Sequence, residues 1–174
     1  LAGDSAGATI MFNLSMRIAD MACRSQLDLS PLCIKGLLFI HPGFHTEAKR
    51  GAMADKLDAG LNQGSTNIEE RYRMALPIGE TLDYPAINPM SPRAPPLTPL
   101  SAYPNLAEMD FRNDLATQFY QEVKKICKNV ELFITPKKQH VFHLYDPGCV
   151  ETKELERHIV EFMEKCYMRY PSIN

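Results

Sequence analysis

The stretch of residues 3–7, Gly3-Asp4-Ser5-Ala6-Gly7, decides the fold of this chain. Its G-x-S-x-G pattern is typical of a sharp turn between a β-strand and an α-helix, in which small residues tolerate the crowded backbone and the serine oxygen stands clear of the sheet. We therefore predict a strand that runs into Ser5 and a helix that leaves it. Such a strand ordinarily has about five residues, and only two residues precede Gly3, so we expect the sequence to be the C-terminal part of a longer protein.

The rest of the chain alternates between helical and strand patterns. From Ala6 to about Cys23, apolar residues recur at helical spacing, and the row comprises Ile10, Leu14, Ile18 and Met21, with Met11 beside them. Similar spacing predicts helices over 68–76, 113–127 and 155–167, while short apolar runs over 34–40 and 130–135 are typical of buried strands. This order predicts an α/β fold with a mostly parallel sheet flanked by helices.

Length and composition describe one ordinary domain. The chain has 174 residues, of which 45% are hydrophobic, so we predict one domain over 1–174 without internal repeats. Residues 44–99 are weakly periodic and rich in proline, which predicts an insertion outside the sheet that lines a ligand pocket.

Charge and cysteine usage exclude several classes of protein. The formal net charge is −2, without charged blocks, so neither a nucleic-acid partner nor a membrane-surface patch is predicted. No apolar run approaches the roughly 18 residues of a membrane span. The five cysteines are scattered without a C-x-x-C pair, which favours reduced thiols in a cytoplasmic protein. No metal or other cofactor is predicted, because Pro42 and Gly43 break the helical spacing of His41 and His45.

A reactive serine needs a histidine to accept its proton and a carboxylate to orient that histidine. Asp110 follows the segment 106–109 and precedes a predicted helix, and His140 follows the predicted strand 130–135 after a short loop. In α/β-hydrolases the three residues come in this order, each at the carboxyl end of a strand. We therefore predict Ser5 as nucleophile, Asp110 as acid and His140 as base.

Three alternatives to these assignments stay open from the sequence. Asp114 is about one helical turn after Asp110 and is interpreted as a helix N-terminal charge. Glu108 faces the opposite way from its strand neighbours and is interpreted as a support for the loop. His143 is the rival of His140 for the role of base, and the position of His140 nearer the strand end favours His140.

Four stretches resemble those of the hormone-sensitive-lipase-type carboxylesterases, and the plant branch is the most similar. They are residues 3–8 (GDSAGA), 83–89 (DYPAINP), 107–114 (AEMDFRND) and 140–144 (HVFHL). The resemblance covers almost the whole chain and aligns it with the C-terminal half of the family's α/β-hydrolase fold. It implies that the N-terminal strands are missing and that about three of eight strands remain. It also implies a small-molecule ester substrate and the roles given above for Ser5, Asp110 and His140.

The resemblance also implies how an oxyanion would be stabilised. One donor is the backbone N–H of Ala6, which follows the nucleophile at the start of a helix. The other donors of the family come from an upstream H-G-G-G loop, and this sequence contains no such glycine run. The chain by itself is therefore predicted to be inactive.

Two further interpretations compete with a serine carboxylester hydrolase. The gibberellin receptor resembles these esterases and lacks the catalytic histidine, whereas this sequence has His140. A non-catalytic hormone receptor is thus the first alternative, and an inactive fragment is the second. In addition, the strand expected before Asp110 contains Pro104 instead of an apolar run, and proline removes a ladder hydrogen bond, so the sequence leaves the local geometry at Asp110 open.

Overall fold

The computed structural model describes residues 1–24, 28–47, 68–96, 102–107, 113–127 and 129–169. Four of the segments in these residues form one sheet, namely β1 (Ala2–Asp4), β2 (Leu37–Ile40), β3 (Ala102–Ala107) and β4 (Phe133–Thr135). The strands lie in the order β1-β2-β3-β4, and every neighbouring pair is parallel. Since parallel strands end at the same edge, the loops after all four strands meet on one side of the sheet.

The described residues also include α1 (Ala6–Cys23), α2 (Ile68–Ala75), α3 (Asn113–Ile126), α4 (Phe142–Tyr145) and α5 (Val150–Arg169). Helix α1 begins directly after Ser5, as the G-x-S-x-G pattern predicts. Helix α5 begins five residues earlier than predicted, because its first turn is polar and therefore carries no apolar periodicity.

The side chains of β2 show how the layers are built. Leu37 and Phe39 pack with residues of α1 and α3 on one face of the sheet. Leu38 and Ile40 pack on the other face with Phe162 of α5. Successive side chains of a strand point to opposite faces, so β2 is covered on both sides, as expected for a strand of a parallel sheet.

Four phenylalanine rings form the centre of the larger core. Phe39 lies 5.2 Å from Phe119 between ring centroids, and Phe44 lies 4.9 Å from Phe119. Phe12 contacts both Phe44 and Phe119 with its ring nearly perpendicular to theirs. Edge-to-face pairs of this kind are favoured by the ring quadrupoles, and they join β2, α1, α3 and the loop after β2.

Helix α1 buries a different face from the one that its apolar row suggested. Ile10 is 69% exposed and Leu14 is 46% exposed, whereas Ala8, Met11 and Phe12 are buried. At the turn, Gly3 of β1 approaches the backbone of Gly7 and Ala8 closely. The row that begins at Ala8 packs against Leu37 and Phe39 of β2.

Pro104 does not interrupt the strand before Asp110, while Asp110 itself lies outside the described residues. Residues 102–107 form a regular inner strand, in which Pro104 is paired with Phe39 of β2. A proline lacks only its own N–H donor, and its neighbours keep their register with β2 and β4.

Strands β2 and β4 are shorter than predicted, since residues 34–36 and 130–132 lie outside them. The sheet has four strands rather than three, because Ala2–Asp4 itself pairs with β2.

Within the described ranges, none of the helices combines the length and the apolar character that a membrane crossing requires.

Candidate active site

Ser5 is the residue that joins β1 to α1. Its backbone has φ 54° and ψ −119°, a conformation that non-glycine residues rarely adopt and that costs about 1–3 kcal/mol where it occurs. The strand and helix on either side are so close that a Cβ added to Gly3 would lie 2.6 Å from the amide nitrogen of Ala8. This tight turn is the one that the G-x-S-x-G pattern predicts.

The backbone of Ser5 is held by the neighbouring strand and its loop. The Ser5 N–H donates to the carbonyl oxygen of Ile40 at 2.9 Å, and the Ser5 carbonyl oxygen accepts from the N–H groups of Gly43 at 2.9 Å and Ala8 at 3.1 Å. The Thr9 N–H donates to the same carbonyl oxygen at 3.4 Å, so four described hydrogen bonds hold the backbone of Ser5 in its strained conformation.

The side chain of Ser5 contacts His140 across 135 residues of sequence: Ser5 Oγ lies 2.9 Å from His140 Nε2. A serine immediately before a helix usually caps it, but among the described contacts the Ser5 hydroxyl makes no capping bond. When Nε2 carries no proton, the hydroxyl donates to it. This geometry allows the imidazole to accept the hydroxyl proton as an attack begins.

A left-handed residue follows His140. The loop after β4 brings His140 to the sheet edge, and Val141 then adopts φ 50° and ψ 32°. Its N–H donates to His41 Nδ1 at 3.1 Å. Phe142 is 7% exposed and packs with Leu155 of α5. The turn at Val141 therefore sends His140 toward Ser5 while Phe142 enters the core.

The structure separates the two candidate histidines. His143 Nε2 lies 2.8 Å from Asp4 Oδ2, so its described polar contact is with the residue before Ser5, whereas the ring of His140 reaches Ser5 itself. This geometry favours His140 as the base.

Of the three acidic candidates, Asp114 lies within the described residues. Asp110 and Glu108 lie outside the described residues; β3 ends at Ala107, three positions before Asp110, at the same sheet edge as Ser5. Asp114 is an exposed residue in the first turn of α3, which agrees with its interpretation as a helix N-terminal charge.

Ala6 opens the helix that leaves the turn. It is the first residue of α1, an 18-residue helix. The first N–H groups of a helix have no acceptor within the helix, and the helix dipole places partial positive charge there. The Ala6 N–H is therefore one of the N–H groups at the positive end of the α1 dipole, directly after Ser5.

His41 lies beside His140 and His143, a position that was not predicted from the sequence. This residue follows β2 directly, is fully buried, and its ring centroid lies 5.8 Å from that of His140 and 5.3 Å from that of His143. In the sequence, His41 and His45 have the four-residue spacing of a helical metal site, but Pro42 and Gly43 between them argue against a helix. In the structure His45 instead packs against Tyr72, with 4.7 Å between ring centroids. The available signal was the position of His41 at the carboxyl end of a buried strand, on the same edge as Ser5.

Asp83, in the stretch 83–89, fixes the loop after β2. One of its carboxylate oxygens accepts hydrogen bonds from Thr46 Oγ1 at 2.6 Å, Asn88 Nδ2 at 3.0 Å and the Glu47 N–H at 3.2 Å. These donors, chiefly the Thr46 hydroxyl, hold the pKa of the Asp83 carboxyl below its usual value. Asp83 thereby ties the region around residue 83 to the loop that holds Ser5.

The chain resembles known esterases in both sequence and fold. Probable carboxylesterase 2 of Arabidopsis thaliana is 32% identical over 170 residues, which are 95% of this chain and 50% of that protein. Gibberellin receptor GID1C of the same plant is 28% identical over 147 residues, 83% of this chain and 40% of the receptor. A structure from a study of two esterases of the fungus Rhizomucor miehei superposes with a TM-score of 0.72 at 18% identity, covering 97% of this chain and 52% of the other.

The chain thus spans about half the length of the curated relatives it matches. The family model described as "alpha/beta hydrolase fold" matches residues 1–144, a range that includes the turn at Ser5, all four strands and the loop with His140. On this match and the geometry above, the chain belongs to the α/β-hydrolase-fold family, in its hormone-sensitive-lipase-type, carboxylesterase-like branch.

Proposed function

We propose that the protein carrying this chain is a serine carboxylester hydrolase that acts through an acyl-enzyme. The observation that carries the proposal is the 2.9 Å contact between Ser5 Oγ and His140 Nε2. It is supported by the strained turn that presents Ser5 and by the carboxylesterase-like relatives. The substrate class is a small-molecule ester, and residues 44–99 are proposed to line its pocket.

In the proposed reaction, Ser5 Oγ attacks the ester carbonyl while its proton passes to His140 Nε2. Collapse of the tetrahedral intermediate releases the alcohol, which takes the proton from His140. Water then attacks the acyl-serine, again with His140 as the base, and the carboxylic acid leaves. Asp110 is proposed to orient the His140 ring and to stabilise its protonated form.

The Ala6 N–H is proposed as one donor to the oxyanion. It immediately follows Ser5 and begins α1, so donor and nucleophile are held by the same turn. Removing a single oxyanion donor typically costs 10²- to 10³-fold in rate. For this reason we expect full turnover only where further donors complete the site.

The alternative function is that of a non-catalytic small-molecule receptor, as named for one relative. A receptor has no need for a base beside the serine. The proximity of His140 to Ser5 supports hydrolysis over binding alone, and the two functions predict opposite results with a serine-directed probe.

The decisive experiment compares Ser5→Ala with the parental protein, using p-nitrophenyl acetate and a fluorophosphonate probe. Ser15→Ala is the matched control, since the Ser15 hydroxyl is buried and donates to the carbonyl oxygen of Phe12 within α1. We expect Ser5→Ala to abolish hydrolysis and labelling, and Ser15→Ala to retain both. Hydrolysis by Ser5→Ala at the parental rate would contradict the proposal. A parental protein that binds a hormone tightly and resists the probe would favour the receptor.

A further inference from the structure

We propose that Asp4, His143 and His41 are positioning residues that hold His140 in line with Ser5. The inference rests on the proposed function, because it assigns these residues a part in the same reaction. None of the three contacts the reacting atoms in this assignment. They act on the placement of His140, through two separate attachments on the segment 140–143.

The first attachment is the hydrogen bond between Asp4 Oδ2 and His143 Nε2, at 2.8 Å. The two side chains are 28% and 15% exposed. Their remaining polar atoms, Asp4 Oδ1 and His143 Nδ1, are buried and have no hydrogen-bond partner among the described residues. Breaking the Asp4–His143 bond would leave Asp4 Oδ2 and His143 Nε2 without their described partner as well, and an unsatisfied polar group in a partly buried site is costly.

This bond joins the same two segments as the contact between Ser5 and His140. Asp4 immediately precedes Ser5, and His143 lies three residues after His140. The same two segments are therefore joined twice, by contacts of 2.9 Å and 2.8 Å. A single contact between two segments leaves them free to pivot around it, whereas two neighbouring contacts restrict that rotation.

The second attachment is the hydrogen bond from the Val141 N–H to His41 Nδ1, at 3.1 Å. A backbone N–H can only donate, so Nδ1 of His41 must act as an unprotonated acceptor and the neutral ring carries its proton on Nε2. His41 is fully buried, and its ring centroid lies 5.8 Å from that of His140 and 5.3 Å from that of His143. It therefore fixes the peptide directly after His140 with a side chain that has little room to move.

The backbone at Val141 explains why such support is useful. A β-branched residue with φ 50° is a genuine conformational outlier, and conformations of this kind persist when their surroundings enforce them. If the Val141 peptide relaxed to an ordinary conformation, His140 would turn away from Ser5. The His41 acceptor opposes that relaxation at Val141 itself, and the Asp4–His143 bond opposes it two residues further along the same segment.

The test uses conservative and non-conservative variants of the native protein. His143→Gln keeps a donor near the position of Nε2, while His143→Leu removes it. We expect His143→Leu to lower kcat for p-nitrophenyl acetate by about 10- to 100-fold with KM unchanged, and His143→Gln to remain within about threefold of parental kcat. His158→Gln and His158→Leu are matched controls, because His158 is 29% exposed on α5 and belongs to neither attachment.

A parallel pair tests the second attachment. His41→Asn retains an acceptor near the position of Nδ1, and His41→Leu removes it. We expect His41→Leu to lower kcat and the fluorophosphonate labelling rate together, and His41→Asn to restore most of both. Parental kcat in both leucine variants would overturn the proposal. Equal losses in each conservative and non-conservative pair, accompanied by equal drops in melting temperature, would also overturn it, since they would indicate a purely structural role.

A measurement that does not depend on catalytic activity tests the positioning of His140 separately from the proposed function. In ¹⁵N-histidine NMR spectra, His41 should appear as the Nε2–H tautomer, and His143→Leu should shift the ring resonances of His140 while His143→Gln leaves them near their parental positions. Unshifted His140 resonances in His143→Leu would overturn the positioning assignment. The expected shifts in a protein without esterase activity would support the positioning of His140 and contradict only the proposed function.

Discussion

Gly3 and Gly7 lie in backbone contact: a Cβ built on Gly3 would be 2.5 Å from the carbonyl carbon of Gly7. The space for a side chain differs between the two glycines, because a Cβ built on Gly7 would meet nothing within 4 Å. The two glycines of one motif therefore differ in function. The first permits the close approach of β1 to α1, and the second is not required for it.

Gly3→Ala and Gly7→Ala should consequently have opposite effects on stability. We expect Gly3→Ala to destabilise the protein by more than about 2 kcal/mol, because the added methyl group meets backbone that cannot move aside. Gly7→Ala should be neutral or stabilise by about 0.5–1 kcal/mol, since alanine favours a helix over glycine. Denaturant unfolding of both variants measures the difference, and equal free energies of unfolding would contradict this account of the turn.

The strain at Ser5 predicts a second pair of variants. Ser5→Gly should be more stable than Ser5→Ala by about 1 kcal/mol, because glycine adopts a positive φ without the steric cost that alanine retains. Both variants lack the hydroxyl and should be inactive. Melting temperatures of the two variants, measured side by side, test the prediction. A Ser5→Ala variant that is as stable as Ser5→Gly would mean that residue 5 is not strained.

The contact between Gly43 and Tyr72 predicts a measurable coupling. Tyr72 Oη donates to the Gly43 carbonyl oxygen at 2.5 Å, and a Cβ on Gly43 would lie 2.6 Å from Tyr72 Oη and 3.1 Å from the Ser5 carbonyl oxygen. We expect Gly43→Ala to cost about 1–3 kcal/mol and to lower kcat by disturbing Ser5. In the Tyr72→Phe background the same change should cost at least about 0.5 kcal/mol less, because the phenol oxygen is gone. Additive effects in a double-mutant cycle would contradict this.

The lowered pKa of Asp83 predicts a pH dependence of stability. A carboxyl whose pKa is lower in the folded state stabilises that state at a pH above its unfolded pKa, near 4, and the contribution disappears as the pH falls through the folded pKa. The free energy of unfolding of the native protein should therefore exceed that of Asp83→Asn at pH 6, and the difference should shrink as the pH falls below about 4.

The control for this pH series is Asp20→Asn. Asp20 is exposed and pairs with Arg24 on the surface of α1, so its replacement should change stability by less than about 1 kcal/mol at any pH. Urea unfolding at several pH values measures both variants. A difference between Asp83→Asn and the native protein that stays constant with pH would show that the charge of Asp83 is not responsible.

Much of the fold could be predicted from local pattern. The turn at residues 3–7, the start of α1 and the presence of α2, α3 and α5 follow from glycine spacing and apolar periodicity, which depend on the geometry of one element at a time. Pro104 shows where such local reasoning fails. A rule about single residues made Pro104 a departure from an ordinary inner strand, yet β3 keeps its register with β2 on both sides of the proline and pairs with β4 after it.

The face that α1 buries could also not be predicted from the sequence pattern. Its most regular apolar row includes Ile10 and Leu14, which are exposed, while Ala8, Met11 and Phe12 are buried. Periodicity reports that a helix has an apolar stripe, but the rotation of the helix about its axis depends on what it packs against. Here the face with Ala8, Met11 and Phe12 packs against Leu37 and Phe39 of β2.

The sequence by itself determined the chemistry that is available at the sheet edge: a serine in a strand-to-helix turn, with histidines after two of the strands. Only the tertiary structure decided which histidine meets which partner. His140 and His143 are three residues apart and chemically identical, so composition and spacing cannot distinguish them with certainty. The left-handed turn at Val141 does so, because it directs one ring to Ser5 and the other to Asp4. That choice depends on contacts between segments more than a hundred residues apart, which no local pattern encodes.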